Sequence, residues 1–241
     1  MESMNPELLT SNTHLEEFEL DILQPRDGYR FSMDSLLLVD FVTLRPWTKV
    51  LDIGTGCGVI ALCLARRFEN VELTGIEIQF SLFRLAMANV LRNGLEARIR
   101  IVNGDIRDCG EIFSAGSFHA VVSNPPYRSP DSGRLCPNAQ EALSRHEIML
   151  DLNLLLESVR YLLCPGGHFF IIYPADRAAM LLANLGHFRL EPKVIRFVHP
   201  RPGSEARMCL VDAVKDARPG GLRVRPPLYV NEHRYGQNRR G

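Results

Sequence analysis

The residues best suited to chemistry form one short segment, Asn124-Pro125-Pro126-Tyr127, which directly follows the apolar run at residues 118–123. A planar amino nitrogen is a poor nucleophile because its lone pair is delocalised, and hydrogen bonds to both N–H groups help it to become pyramidal in a transition state. The Asn124 side-chain oxygen and the Pro125 carbonyl are suitable acceptors, and Tyr127 is suited to stacking on a flat ring. The segment therefore predicts a clamp for an amino group, although Asn-Pro-Pro is also a common start of a β-turn.

A second motif is the glycine-rich turn Asp-Ile-Gly-Thr-Gly-Cys-Gly, which begins at Asp52 and includes Gly54 and Gly56. Glycines at such a turn allow positive φ and close approach of the backbone to a ligand. Glu77 ends the next predicted strand, where an acid can bind a ribose, and Asp105 follows the third strand, within reach of an adenine amino group. A single strand-end acid would be a solvated carboxylate, but three on successive strands predict a nucleotide-like cofactor.

The spacing of the glycines helps to choose the cofactor. The dinucleotide fingerprint is G-x-G-x-x-G, whereas this turn has G-x-G-x-G. S-adenosylmethionine has no pyrophosphate, so it does not require that fingerprint, and NAD becomes the less favoured occupant. Together with the amino-group clamp, the turn predicts in-line methyl transfer from a sulfonium to a nitrogen, with neither a metal nor a covalent intermediate.

Composition describes an ordinary soluble chain of 241 residues, with 46% apolar residues, 23% charged residues and no net charge. No apolar run approaches the roughly 20 residues that span a bilayer, and the first residues have no signal-peptide pattern, so we expect a cytoplasmic protein without a membrane partner. Six scattered cysteines without a C-x-x-C pair predict free thiols. Residues 216–241 carry six arginines and two acids, which charge alone would assign to a solvated terminus.

Strands and helices alternate along most of the chain, which predicts an α/β protein with a parallel sheet covered on both faces. After residue 185 no helix fits between the last two strands, so these should pair antiparallel. We divide the chain into a lead segment (1–24), a catalytic domain (25–215) and a basic tail (216–241). The predicted strands are residues 49–54, 71–78, 98–103, 118–123, 168–173, 192–198 and 207–214, and the predicted helices are residues 35–42, 59–68, 80–93, 148–163 and 176–185.

With these motifs placed, the chain resembles the amino-methylating branch of class I S-adenosylmethionine-dependent methyltransferases. It is most similar to the bacterial tRNA adenine-N6 methyltransferases, which modify the adenosine next to the anticodon of a valine tRNA. The resemblance covers about residues 20–214 and implies a Rossmann-like sheet of seven strands, in the order 3-2-1-4-5-7-6, with one antiparallel strand. It is carried by four stretches: residues 24–38 (QPRDGYRFSMDSLLL), the glycine turn, the Asn124 clamp and residues 200–207 (PRPGSEAR).

The resemblance also implies roles for individual residues. It makes Asp52, Gly54, Gly56, Glu77 and Asp105 cofactor contacts, and Asn124, Pro125, Pro126 and Tyr127 the catalytic clamp, with Asn124 also beside the cofactor. Asp34 lies where relatives place a residue near the methionine end of the cofactor, but a helix N-cap is an equally good role for it. Asn89 and Asn93 fall on a motif seen in relatives, although a helix C-terminal role suffices for Asn93.

A tRNA substrate would bring an unstacked base to the clamp and its phosphates to cations. The segment 128–141, rich in Pro, Gly, Ser and Asn, is suited to closing on substrate. Any one basic residue is more often a solvated surface group, so these residues are candidates only. The substrate-side candidates are Arg128, Arg134, Arg145, His146, Arg196, Arg201 and the arginines of the tail.

Other functions remain open at this point. A release-factor glutamine amide presents the same planar NH₂, so protein glutamine-N5 methylation is the main alternative, although some 20 leading residues are too few for the helical domain usual in those enzymes. Guanine-N2 methylation of ribosomal RNA and adenine methylation of DNA are variants of the same chemistry. A non-catalytic binding module and a nicotinamide-dependent oxidoreductase belong to other classes. The oligomeric state is not indicated.

Overall fold

The computed structural model describes residues 10–26, 30–125 and 152–230. Short 3-10 helices accompany the main elements at Glu16–Phe18, Ile106–Asp108 and Ala175–Arg177. The described strands are β1 (Thr10–Leu15), β2 (Leu20–Pro25), β3 (Thr48–Ile53), β4 (Val71–Glu77), β5 (Ile99–Asn103), β6 (Phe118–Ser123), β7 (Leu163–Pro174), β8 (Leu190–His199), β9 (Met208–Lys215), β10 (Arg223–Val224) and β11 (Leu228–Tyr229). The described helices are α1 (Met33–Phe41), α2 (Val59–Arg67), α3 (Phe80–Arg92), α4 (Cys109–Ile112), α5 (Leu152–Leu162) and α6 (Ala178–His187).

The main sheet has the predicted strand order. From one edge it runs β5-β4-β3-β6-β7-β9-β8, which is 3-2-1-4-5-7-6 when its seven long strands are counted along the chain. Strands β3 to β7 pair in parallel, and β9 is antiparallel to both of its neighbours. The α/β class and the antiparallel pair are confirmed. We call the edge at which the parallel strands end the carboxyl edge.

Two very short strands extend the sheet beyond the predicted seven. Strands β10 and β11 pair in parallel with β8, which would otherwise be an open edge. The backbone N–H of Arg225 donates to the Ile195 carbonyl at 2.8 Å, and the Lys193 ammonium donates to the Arg218 and Gly220 carbonyls. Residues 218–229 of the basic tail therefore lie against the sheet, and charge alone did not indicate this.

The first described residues form a hairpin that was not predicted. Strands β1 and β2 pair antiparallel, and Glu19 turns between them in the left-handed region, with φ of 50°. Alternate residues of β2 face the core, because Leu20 and Ile22 are completely buried while Asp21 is half-buried. The hairpin thus closes the side of the sheet that carries α2 and α3.

Apolar side chains fill both faces of the main sheet. Along β3, Val50 packs in the core beneath α1, α2 and α3, while Leu51 and Ile53 pack in the core beneath α5 and α6. This alternation follows the two-residue period of a strand and is typical of a parallel sheet buried on both faces. By the same period, Asp52 lies on the Val50 face, under the helices that flank the glycine turn.

Predicted element boundaries differ from the observed ones by a few residues. Helix α3 stops where Asn93-Gly94 predicts, with Gly94 at φ of 64°. Strand β7 begins earlier than predicted because Leu163 already pairs with Phe118, with a register irregularity before His168. Residues 126–151, which include the start of the predicted helix at 148–163, lie outside the described residues. Within the part of the chain that is described, no helix has both the length and the apolar character to cross a membrane.

Candidate active site

The glycine turn joins β3 to α2 at the carboxyl edge. Gly54, Gly56 and Gly58 adopt φ values of 72°, 58° and 87°, a conformation that side-chain-bearing residues rarely take. The N–H groups of Gly54 and Thr55 both donate to the Ile76 carbonyl, at 3.0 and 3.1 Å. The turn is therefore anchored on β4 and leaves a surface at which a ligand can approach the backbone closely.

Glu77 ends β4 and is built into the same turn. Its Oε2 accepts the Gly56 N–H at 2.9 Å, and its Oε1 accepts the Gln79 N–H at 2.9 Å. Burial raises the pKa of this carboxyl, while the bonds from Gln79 and Gly56 act in the opposite direction. Each oxygen retains a further lone pair, so the carboxylate can accept ribose hydroxyls without losing its backbone donors.

Asp52 lies directly before the turn and is completely buried. Its Oδ2 accepts the Thr55 hydroxyl at 2.5 Å, whereas its Oδ1 has no well-aligned hydrogen-bond donor among the described residues. Burial raises the pKa of Asp52 to about 7, the Thr55 hydrogen bond lowers it, the nearby Glu77 raises it further and the nearby Ala61 N–H lowers it only in part. A buried acceptor without a donor is costly unless a ligand supplies one, so the site fits a cofactor that carries a cationic or N–H group.

Asp105 follows β5 and caps the short helix that starts at Ile106. It accepts the Arg107 backbone N–H at 2.9 Å and the Arg107 Nε at 2.8 Å, with a further bond from the guanidinium. Arg107 holds the pKa of this carboxyl below its usual range, mainly through the side-chain hydrogen bonds. An adenine amino group at this position would share the carboxylate with Arg107.

The described part of the amino-group clamp follows β6. Ser123 pairs in register with Ile53 and its hydroxyl donates to the Ile53 carbonyl at 3.1 Å, so the next residue, Asn124, stands beside the glycine turn. The Asn124 Nδ2 donates to the Ser35 Oγ of α1 at 2.9 Å. Pro125 is buried. Pro126 and Tyr127 lie outside the described residues, as do the candidates Arg128, Arg134, Arg145 and His146.

Asp34 is the second residue of α1 and does not cap the helix. The N-cap is Ser32, whose backbone is extended, so the capping role weighed for Asp34 is wrong. Asp34 hydrogen-bonds Ser32, and burial raises the pKa of its carboxyl despite that bond. Asp34 directly precedes Ser35, the residue that hydrogen-bonds Asn124.

Asn89 of α3 and Asn93, the residue that follows the helix, have a role that sequence reasoning underestimated. The Asn89 side chain is fully buried; it accepts the Leu23 N–H at 2.8 Å and donates to the carbonyls of Leu23 and Cys57 at 2.8 and 2.9 Å. Asn93 makes the same paired contact with the backbone of Asp21, at 2.9 and 3.0 Å. Asn89 therefore ties strand β2 to the glycine turn. The signal available in the sequence was an i, i+4 pair of amides on an otherwise amphipathic helix.

Of the basic candidates, Arg201 and Arg196 are described. Arg201 is exposed in the turn between β8 and β9, which lies at the carboxyl edge because Pro174, at the end of β7, pairs with Met208. Arg196 instead donates to the Pro226 carbonyl at 3.1 Å, and desolvation lowers the pKa of its guanidinium, with repulsion from Arg225 adding to the effect. Arg201 is thus open to a phosphate, whereas Arg196 is held against the tail.

Comparison with known proteins agrees with this geometry. The family model of the methyltransferase small domain matches residues 30–147. A protein of Phocaeicola vulgatus named tRNA1(Val) (adenine(37)-N6)-methyltransferase is 30% identical over 200 residues, which is 83% of this chain and 83% of the relative. A protein of the same name from Tolumonas auensis is 33% identical over 169 residues, which is 70% of this chain and 68% of the relative.

Among solved structures, a predicted O-methyltransferase from Agrobacterium tumefaciens superimposes with a TM-score of 0.67 at 25% identity, covering 82% of this chain and 88% of its own. A geranyl diphosphate C-methyltransferase from Streptomyces coelicolor, solved with S-adenosyl-L-homocysteine, has a TM-score of 0.54 at 14% identity and covers 75% of this chain and 79% of its own. The fold is that of the class I S-adenosylmethionine-dependent methyltransferases.

Proposed function

Because the chain belongs to the family of tRNA1(Val) (adenine(37)-N6)-methyltransferases, we propose that it transfers a methyl group from S-adenosylmethionine to N6 of an adenine in tRNA. The observation that carries the proposal is the position of Asn124 at the end of β6, directly beside the glycine turn of β3. An amino group held at Asn124 and a methyl group held at the turn would meet across two adjacent strands.

The cofactor would be held by the acidic residues of the carboxyl edge. Asp52 has a buried oxygen that can accept an N–H donor, and Glu77 is placed for ribose hydroxyls. Asp105 is the candidate for the adenine amino group, and Gly54 and Gly56 allow close backbone approach. When bound, S-adenosylmethionine supplies an electrophilic methyl group on a positively charged sulfur.

The chain's own contribution to the transfer is to position the nucleophile. Asn124 Oδ1 and the Pro125 carbonyl accept the two N–H groups of the substrate, so that its lone pair points toward the methyl carbon. Tyr127 is the candidate for stacking on the base. The proton can leave the nitrogen after methyl transfer, so no strong general base is needed.

Features of the carboxyl edge support a tRNA substrate. Arg201 is exposed there, and strand β11 ends at the same edge because Tyr229 pairs with His199. An exposed guanidinium at the edge that also holds the clamp suits a phosphate of an anticodon loop. The names of the relatives favour adenine in tRNA over a release-factor glutamine or a guanine of ribosomal RNA. A tRNA substrate would also place the enzyme in the cytoplasm.

Methylation of unmodified tRNA tests the proposal. We expect labelled S-adenosylmethionine to give N6-methyladenosine in tRNA, detected by nucleoside mass spectrometry, and no label in release factor. Replacing Asn124 by Ala should lower kcat by about 10². The affinity of this variant for S-adenosylhomocysteine, measured by calorimetry, should equal that of the parent protein. Label in release factor alone, or a variant as active as the parent, would refute the assignment.

A further inference from the structure

We propose that Ser35 is a positioning residue for this reaction: its hydroxyl holds the Asn124 carboxamide with the nitrogen toward α1 and the oxygen toward the substrate amino group. The inference rests on the proposed function, which makes Asn124 the acceptor for the substrate. It concerns a residue 89 positions away in sequence, on a different element.

The contact joins two rigid parts of the molecule. Ser35 is 1% exposed and lies in the first turn of α1, where its backbone N–H donates to the Ser32 carbonyl at 3.2 Å. The residues that follow, Leu36 to Val39, are buried in the core. The other end of the helix is fixed by Arg67, which donates to the Asp40 carboxylate at 2.7 Å and to the Val39 carbonyl at 3.1 Å. The Ser35 hydroxyl is therefore a fixed point.

The position of the Ser35 hydroxyl is important because the two ends of a carboxamide differ in their hydrogen bonding. Its nitrogen only donates and its oxygen only accepts, and the two ends have nearly the same shape. If the side chain turned over, N–H groups of Asn124 would face N–H groups of the substrate, and the lone pair of the substrate nitrogen would lose its alignment. The Ser35 Oγ, at 2.9 Å from Nδ2, fixes the plane of the carboxamide and keeps its nitrogen end toward α1. Oδ1 is then the end that is presented at the carboxyl edge.

Replacing Ser35 by Ala removes the hydroxyl without disturbing helix geometry, since Ala is a good helix former. We expect kcat for tRNA methylation to fall about tenfold, because the carboxamide loses the hydroxyl that accepts from its nitrogen end. The KM for tRNA and the affinity for S-adenosylhomocysteine should change by less than about twofold, because neither ligand is held by Ser35. The matched control is Thr48→Val, which removes another buried hydroxyl at the opposite end of β3 and should leave kcat unaltered.

Two further measurements separate positioning from a general structural effect. In the Asn124→Ala background the Ser35→Ala change should have no additional effect on kcat, because its target is gone. In the absence of any substrate, the Asn124 side-chain NH₂ signals, assigned by their disappearance in Asn124→Ala, should lose hydrogen-exchange protection in Ser35→Ala.

The inference is overturned if Ser35→Ala alone keeps parental kcat, if it lowers kcat equally in both backgrounds, or if the NH₂ signals are unaffected. Failure of the parent protein to methylate tRNA would instead overturn the proposed function, and the NH₂ measurement would still decide whether Ser35 orients Asn124.

Discussion

Asp52 is expected to make the stability of the unliganded protein depend on pH in an unusual direction. Burial raises its pKa from 3.8 to about 7 in the folded chain, so the folded state holds a proton that the unfolded state releases between those two values. Because the unfolded state binds fewer protons in this window, the free energy of unfolding falls as the pH rises. A carboxylate whose pKa is lowered in the folded state has the opposite effect, because the free energy of unfolding then rises with pH.

The magnitude follows from the two pKa values. Their difference corresponds to about 4 kcal/mol when the pH is well above 7, since a tenfold change in an acid constant is about 1.4 kcal/mol. Between pH 5 and pH 8 the same two values give a loss of about 3 kcal/mol. Asp52→Asn keeps an oxygen that can accept the Thr55 hydroxyl but does not titrate, so it should lack this part of the pH dependence.

Urea unfolding of the parent and of Asp52→Asn at pH 5, 6, 7 and 8 measures the effect without ligands. All other titrating groups are shared, so the difference between the two curves isolates Asp52, apart from its coupling to Glu77. We expect the variant to gain stability relative to the parent as the pH rises. Two curves that run parallel over the whole range would show that Asp52 is ionised in the folded state at pH 5, and the burial argument would fail.

Two other predictions concern the walls of the cofactor site. Glu77→Gln should weaken the affinity for S-adenosylmethionine about tenfold or more in calorimetric titration, because the NH₂ group of the glutamine would face a backbone N–H. The control Glu72→Gln, on the exposed face of the same strand, should leave this affinity unchanged. Equal affinities for the two variants would contradict the assignment of Glu77. Asn89→Ala removes the three hydrogen bonds of a buried side chain and should lower the free energy of unfolding by about 3 kcal/mol in urea denaturation, against little change for the more exposed Asn184→Ala. A loss below about 1 kcal/mol would show that solvent replaces those bonds.

The positions of the strand-end residues at the carboxyl edge and the closing antiparallel pair are predictable because both depend on patterns within short segments. Apolar runs that lead into Asp52, Glu77 and Asn124 are enough to place these three side chains at one edge of a parallel sheet. The antiparallel pair follows from a gap, residues 199–206, that is too short for a helix. The strand order itself comes from the resemblance, because several arrangements of parallel strands have the same local pattern.

What the sequence did not reveal depends on contacts between distant segments. Nothing near Asn124 indicates that Ser35 is its partner, and nothing near Asn89 indicates that it bonds the backbone of Leu23, 66 residues earlier. The hairpin of β1 and β2 was missed because β1 is the polar segment TSNTHL, in which no residue is buried, so its sequence lacks the apolar alternation of a strand. The roles of the individual site residues stay predictions, since they were taken from the resemblance and from strand ends.

The bridge made by Asn89 has a practical consequence for anyone who shortens the chain. A version that started at residue 25 would lose the Leu23 backbone and leave the oxygen and one N–H of the Asn89 amide without their partners. The third bond of that amide holds the Cys57 carbonyl, inside the glycine turn. Trimming the leader would therefore weaken the anchorage of the glycine turn, at a distance from every residue that we propose as a cofactor contact.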